Sequence, residues 1–180
     1  MKVLEKVLTD ALVLEPRVFA DDRGFFLESY NEKVFAELGI RQHFVQDNHS
    51  YSKQSVLRGL HYQVQKPQGK LVRVVSGEVL DVLVDLRRSS RTFGQWHSVN
   101  LSGENRRLAW IPAGFAHGFL VLSESAHVIY KSTEFYFPDF ERTILWNDPQ
   151  LNIDWGQVRN PQLSEKDKQG VPFKTADLFS

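Results

Sequence analysis

Residues 71–86 read LVRVVSGEVLDVLVDL, and apolar and polar side chains alternate along them. In the second half, residues 80–86, four aliphatic side chains share one face, and Asp81 and Asp85 lie on the other. This period of two predicts β-strands rather than helices. Between the two runs, Ser76-Gly77-Glu78 has the composition of a hairpin turn.

The same pattern continues towards the C-terminus. Further strands are predicted at 96–101, 107–111, 118–122 and 126–132, and Gly, Pro and Ser clusters separate them. Asn31 is placed to cap a helix over 32–38, and Ser164-Glu-Lys-Asp167 matches a capping box. The segment from residue 147 onward reads as loop and short helix. We therefore expect an all-β fold, a sandwich or barrel of the jelly-roll type, with a few short helices.

Composition narrows the class of protein. The chain has 180 residues, which predicts a single domain over 1–180, and its 22 basic residues balance 22 acidic ones. Zero net charge argues against nucleic acid as a partner. The chain has no cysteine, which excludes thiol catalysis and suits a reducing compartment. Without a signal-peptide core or a long apolar run, we expect a cytoplasmic protein that does not enter membranes.

Two segments carry polar groups where a strand should be apolar: VLRGLHYQ at 56–63 and IPAGFAHGF at 111–119. In one regular strand, Arg58 and His61 would point to opposite faces because their spacing is odd. Gly59 between them predicts a β-bulge that re-aims one of the two. His61 and His117 are therefore candidates for chemistry, and the alternative is that each is an ordinary structural histidine.

The two segments resemble the two motifs of the cupin superfamily, and the second fits well. In the first, metal-binding cupins have a second histidine where this chain has Gln63, and an acid where it has Pro67 or Gln68. Two imidazoles are too few for a catalytic metal site. The resemblance therefore implies a cupin fold without a metal or other cofactor.

Six strings in order, spread over about residues 13–172, resemble the dTDP-4-dehydrorhamnose 3,5-epimerase family. They are Phe-x-Asp-x-Arg23-Gly-x-Phe26-x-Glu28, Gln46-Asp-Asn48-x-Ser50, Leu57-Arg58-Gly-Leu-His61-Tyr-Gln, Pro67-Gln-Gly-Lys70-Leu-Val-Arg-Val, Ile111-Pro-Ala-Gly-Phe-Ala-His117-Gly-Phe and Trp146-Asn-Asp-Pro. The resemblance implies cofactor-free epimerisation of dTDP-4-keto-6-deoxyglucose at C3 and C5 by a homodimer of jelly rolls.

The resemblance also implies the catalytic residues. His61 would be the base, Asp167 its carboxylate partner, Tyr130 the proton donor and Lys70 the donor to the C4 oxyanion. From the residues alone, Asp167 could instead be the acid of the capping box, and Tyr130 could simply pack in the sheet. The two roles of Asp167 can coexist only if its two oxygens are shared between them.

The remaining implied contacts are to the sugar, the diphosphate and the base. They involve Lys70 again and ten further residues: Arg23, Phe26, Glu28, Gln46, Asn48, Arg58, His117, Tyr136, Glu141 and Lys166. Guanidinium groups suit a diphosphate and aromatic rings suit thymine. In the family, Arg23, Phe26 and Glu28 come from the neighbouring subunit. We expect Asp47 to face away from the pocket, since 46 and 48 share the opposite face of the strand.

Three alternatives remain open. A 3-only or 5-only epimerase would use the same scaffold with narrower chemistry. A metal-dependent cupin dioxygenase or isomerase would need metal for activity. A non-catalytic module that binds sugar nucleotides would bind its ligand as before, with no measurable loss, in His61→Ala.

Overall fold

The protein is an all-β structure, as the alternating pattern predicts, in a computed structural model that describes residues 1–158 and 160–180. The strands are β1 (Lys2–Val7), β2 (Ala11–Glu15), β3 (Val18–Asp21), β4 (Gly24–Leu27), β5 (Gln46–Lys53), β6 (Leu57–Gln63), β7 (Lys70–Ser76), β8 (Glu78–Asp85), β9 (Trp96–Ser102), β10 (Leu108–Ile111), β11 (Phe115–Val121), β12 (Ser125–Ser132) and β13 (Glu141–Thr143). The helices are α1 (Glu32–Glu37) and α2 (Glu165–Lys168), with 3-10 turns at Pro138–Phe140 and Phe173–Thr175.

Two antiparallel sheets pack face to face. The six-stranded sheet has the order β1-β2-β10-β7-β12-β5, and the five-stranded sheet has the order β13-β6-β11-β8-β9. Strands β3 and β4 form a separate hairpin. Aliphatic and Phe side chains from both sheets, among them Val72, Val128, Leu83 and Phe119, form one buried cluster between them. This cluster is the core of a β-sandwich, and side chains from both sheets exclude water from it.

The outer face of each sheet is also covered. On the five-stranded sheet, Val82 and Val84 pack under Trp155 and Phe173 of the C-terminal segment. Asp81 and Asp85 consequently point into the sandwich, where both are fully buried. The aliphatic face of 80–86 is thus the outer one, because a second layer of chain shields it from solvent.

The turn at Ser76-Gly77-Glu78 does not close a hairpin, and that prediction is wrong. Strands β7 and β8 belong to different sheets, so the chain crosses from one layer to the other at Gly77. Gly77 has φ +80°, and a Cβ there would lie 2.0 Å from the Ser125 carbonyl oxygen. The turn chemistry specifies a sharp reversal but not which strand becomes the hydrogen-bonding partner.

Both predicted helices form. Asn31 Oδ1 accepts hydrogen bonds from the backbone N–H groups of Lys33 and Val34, at 3.1 and 3.3 Å, and caps α1. Phe35 of α1 packs with Trp110 on the outer face of the six-stranded sheet. Within the described residues, no helix has the length and apolar character that crossing a membrane requires.

Candidate active site

A bulge in β6 brings Arg58 and His61 to the same face. His61 pairs with His117 and Arg58 with Phe119, so three steps along β6 oppose two steps along β11. The predicted bulge at Gly59 is therefore confirmed. Gly59 has φ +132°, and a Cβ there would lie 2.5 Å from the Gly118 Cα, so glycine is required for this close approach.

His61 is held by Asp167. Its Nε2 lies 2.6 Å from Asp167 Oδ1, and the carboxylate is 3 % exposed whereas the imidazole is 27 % exposed. The other oxygen, Oδ2, accepts a hydrogen bond from the Ser164 hydroxyl at 2.7 Å at the start of α2. One oxygen thus serves the histidine and the other serves the helix cap, so both roles considered for Asp167 coexist.

The ionisation of Asp167 selects the free nitrogen of His61. Burial alone would raise the pKa of Asp167, but hydrogen bonds from His61 and Ser164 together hold it below its ordinary value. An ionised carboxylate only accepts hydrogen bonds, so the neutral imidazole carries its proton on Nε2. Its Nδ1 then has a free lone pair, as a general base requires.

The opposite sheet presents Lys70 and Tyr130. Lys70 lies on β7 and Tyr130 on the neighbouring β12. Tyr130 pairs with Asn48 of β5, and Lys70 pairs with Ser132 of β12. Burial lowers the pKa of Lys70 to about 8, although Glu141 and Asp81 partly offset the effect. Burial, with the charge of Glu141, raises the pKa of Tyr130, so its hydroxyl keeps its proton.

A second His-Asp pair lies beside the first. His117 Nε2 is 2.7 Å from Asp81 Oδ2, and both side chains are buried. Asp81 Oδ1 has no hydrogen-bond partner among the described residues. Asp81 is absent from the residues predicted for the site. The signal that could have found it is that two acidic side chains, Asp81 and Asp85, lie within a strand whose other central residues are all aliphatic.

Glu141 joins the rim of the site. Its Oε2 accepts hydrogen bonds from the Tyr136 hydroxyl at 2.6 Å and from Lys166 Nζ. Burial would raise the pKa of Glu141, but these bonds keep it below its ordinary value. Gln46 accepts a hydrogen bond from the Tyr136 backbone N–H at 3.0 Å and donates one to Asn48 at 2.7 Å. The structure thus connects these five predicted binding residues.

Arg58 is exposed but lies near Tyr130, since its positive charge partly offsets the rise in the pKa of Tyr130, and its Nε donates a hydrogen bond to the buried Ser52 hydroxyl at 2.9 Å. Asp47 faces outward as expected, with one carboxylate oxygen 3.3 Å from Lys131 Nζ. The structure therefore assembles eleven of the predicted site residues: His61, Asp167, Lys70, Tyr130, His117, Arg58, Glu141, Lys166, Tyr136, Gln46 and Asn48.

Three predicted residues lie apart from this cluster. Arg23 bonds to Asp21 of its own hairpin, Glu28 accepts a hydrogen bond from Asn31, and the Phe26 residue is 69 % exposed. All three belong to the β3–β4 hairpin or follow it directly, and that hairpin pairs with neither large sheet.

Metal-binding side chains are not clustered within the described part of the chain. Among residues 1–158 and 160–180, no three His, Cys, Asp or Glu side chains are grouped so that they could hold an ion. Gln63, at the position of a metal ligand in the cupin motif, directs its amide to backbone groups at residues 66, 135 and 137.

Comparison with known proteins identifies the family. A family model described as dTDP-4-dehydrorhamnose 3,5-epimerase matches residues 5–175. The chain is 59 % identical over 180 residues to the dTDP-4-dehydrorhamnose 3,5-epimerase of Pseudomonas aeruginosa, covering 99 % of both chains.

Solved structures agree with this assignment. A 3,5-epimerase from Legionella pneumophila in complex with dTDP-4-keto-L-rhamnose superposes with a TM-score of 0.96 at 49 % identity, covering 99 % of this chain and 97 % of that one. An epimerase from Bacillus anthracis with TDP and PPi bound gives a TM-score of 0.93 at 50 % identity, covering 95 % and 98 %. The expected cupin-type fold is confirmed, and the chain belongs to the dTDP-4-dehydrorhamnose 3,5-epimerase family.

Proposed function

We propose that His61 and Tyr130 perform the proton transfers of this enzyme, which epimerises dTDP-4-keto-6-deoxyglucose at C3 and C5. The observation that carries the assignment is their placement on opposing sheets. His61 lies on β6 with its Nδ1 free, and Tyr130 lies on β12 of the facing sheet. Inversion at carbon requires a base on one face of the sugar and an acid on the other, and this pair supplies both.

The electron pair follows a short path at each carbon. His61 Nδ1 removes the C3 or C5 proton, and the electrons of the broken C–H bond form a C=C bond to C4. The ketone oxygen then carries the negative charge of an enolate. Lys70 is the donor we assign to that oxygen, and His117 is assigned to contact with the sugar. When the enolate collapses, Tyr130 delivers a proton to the opposite face of the carbon.

The nucleotide part of the substrate needs cations and a flat partner. We assign Arg58 and Lys166 to the diphosphate and Tyr136 to thymine. The β3–β4 hairpin would complete the site of a second subunit with Arg23, Phe26 and Glu28. Support for such a homodimer is that Phe25 and Phe26, 56 % and 69 % exposed, leave an apolar surface on the hairpin.

Three further properties belong to the proposal. The reaction runs without metal or another cofactor, since a carbonyl neighbour already acidifies both C–H bonds. The chain works as a single domain over 1–180. The enzyme acts in the cytoplasm, since a chain without cysteine forms no disulfide and its fold does not depend on an oxidising compartment.

Proton NMR in D2O tests the reaction on metal-stripped protein with dTDP-4-keto-6-deoxyglucose as substrate. We expect deuterium to enter at both C3 and C5, because both carbons flank the ketone. Incorporation at one carbon would assign a narrower epimerase. Activity that appears only when metal is restored would favour the metal-dependent alternative. No incorporation by folded protein would contradict catalysis altogether.

The ionisation of Lys70 predicts an alkaline limit to activity. Only the ammonium form carries the positive charge that stabilises the enolate oxygen, and burial lowers the pKa of Lys70 to about 8. We therefore expect kcat/KM to fall as the pH rises through about 8, because the free enzyme loses this proton there. In Lys70→Arg, whose guanidinium stays charged, the fall should disappear even if the rate is lower. Lys174→Arg, at an exposed position, is the control, and its kcat/KM should still decrease above about pH 8. If kcat/KM of Lys70→Arg also decreases there, the decrease arises from a group other than Lys70.

A further inference from the structure

The loop 134–137 carries Tyr136 over the site but is poorly anchored by burial. Phe135 and Tyr136 are 54 % and 48 % exposed. The loop has no regular secondary structure between the end of β12 and the 3-10 turn at Pro138–Phe140. We therefore infer that hydrogen bonds, more than packing, hold the loop and the Tyr136 ring in place.

Gln63 supplies the central contacts. Its Oε1 accepts a hydrogen bond from the Phe137 backbone N–H at 2.8 Å. Its Nε2 donates to the Phe135 carbonyl at 3.2 Å and to the Lys66 carbonyl at 2.8 Å. The side-chain amide thus forms hydrogen bonds to the backbone on both sides of Tyr136, and Gln63 is itself only 3 % exposed.

Two other glutamines hold neighbouring positions of the same loop. Gln68 Nε2 donates to the Glu134 carbonyl at 2.9 Å, and Gln46 accepts from the Tyr136 N–H. Of the three, Gln63 is the most buried and forms the most bonds to the chain. Buried amide contacts are also the ones that cost most when a partner is removed, since water does not replace them readily.

We propose that Gln63 is a positioning residue that sets the placement of Tyr136 and thereby the affinity for the nucleotide. The inference rests on the proposed function, in which Tyr136 contacts the thymine base. In the cupin motif this position belongs to a metal ligand; here the same strand position, two residues after the base His61, steers the loop that receives the nucleotide.

Gln63→Met tests the proposal, because methionine has nearly the same length but no hydrogen-bonding amide. We expect the Kd for dTDP and the KM to rise about tenfold, with kcat changed less than about threefold, since a misplaced binding loop affects binding more than proton transfer. The measurements are calorimetric titration with dTDP and steady-state kinetics. Gln54→Met, which loses a single bond to the Leu122 carbonyl at the end of β5 away from Gln46, is the matched control and should change the Kd by less than about twofold.

The double variant Gln63→Met/Tyr136→Ala decides whether Gln63 acts through Tyr136. If it does, the double variant binds dTDP no more weakly than Tyr136→Ala alone. Losses that multiply would overturn the proposal, and so would an unchanged Kd in Gln63→Met. Failure of the wild-type protein to bind dTDP or to epimerise would instead overturn the proposed function.

Gln63→Glu provides a second test if the methionine variant does not fold. A protonated Glu can still accept from Phe137 and donate to one carbonyl, whereas an ionised Glu repels both carbonyls. We expect the ratio of its Kd for dTDP to the wild-type Kd to grow as the pH rises from 5 to 8. A ratio that stays constant across this range would contradict the positioning role.

Discussion

His61→Ala is expected to lower kcat by about two to four orders of magnitude while the sandwich stays folded. His61 is the only base that the proposal assigns, and its removal leaves no group to take the proton from C3 or C5. Its imidazole contributes to neither core cluster on the two faces of the five-stranded sheet. The measurements are turnover by NMR and the far-UV circular dichroism spectrum of the variant.

The comparison variants for this experiment are Asp167→Asn and His43→Ala. Asp167→Asn keeps the imidazole but removes the charge that orients it, so we expect an intermediate loss of kcat. His43 is exposed and paired with Glu32 near α1, so His43→Ala should be as active as the parent. Full turnover at both carbons in His61→Ala would show that another residue is the base.

Tyr130→Phe is expected to separate proton exchange from inversion. The variant keeps the ring and loses only the hydroxyl that returns the proton on the opposite face. His61 can still remove a proton and return one to the same face, so deuterium from D2O should enter the substrate with its configuration retained. Formation of the inverted product should fall by about two to four orders of magnitude.

Tyr51→Phe is the matched control, because this tyrosine is 53 % exposed. It should epimerise as the parent does. Both quantities, deuterium content and product configuration, come from the same NMR spectra. Inversion at the parental rate in Tyr130→Phe would contradict its role as proton donor, and loss of exchange together with inversion would indicate that the hydroxyl also assists proton removal.

Much of the fold could be predicted because strand periodicity and helix caps are local signals. The alternation in 71–86, the cap at Asn31 and the bulge at Gly59 each depend on a few neighbouring residues, and each is confirmed. The crossing at Gly77 could not be predicted in this way. Two strands that follow each other along the chain either pair or enter different sheets, depending on which other strands are available to pair with them. The residues of the turn do not contain this information.

The site residues also divide into those that the neighbouring sequence reveals and those that it does not. Arg58, His61 and His117 stand out because polar side chains interrupt apolar strands. Asp167 does not, since its local context explains it fully as a capping residue, and only family resemblance pointed to His61 as its partner. Asp81 was seen as part of a polar face; its burial follows from the covering of the outer sheet face by a distant segment.

The division of the Asp167 carboxylate between His61 and Ser164 links catalysis to a very small unit of structure. Asp167 lies 106 positions from His61, and α2 has only four residues. Short helices near the surface open with far smaller free energies than a sheet core does. A transient opening of α2 would therefore release the base from its partner while the sandwich remained intact. Activity therefore depends on the local stability of one helical turn as well as on the stability of the whole fold.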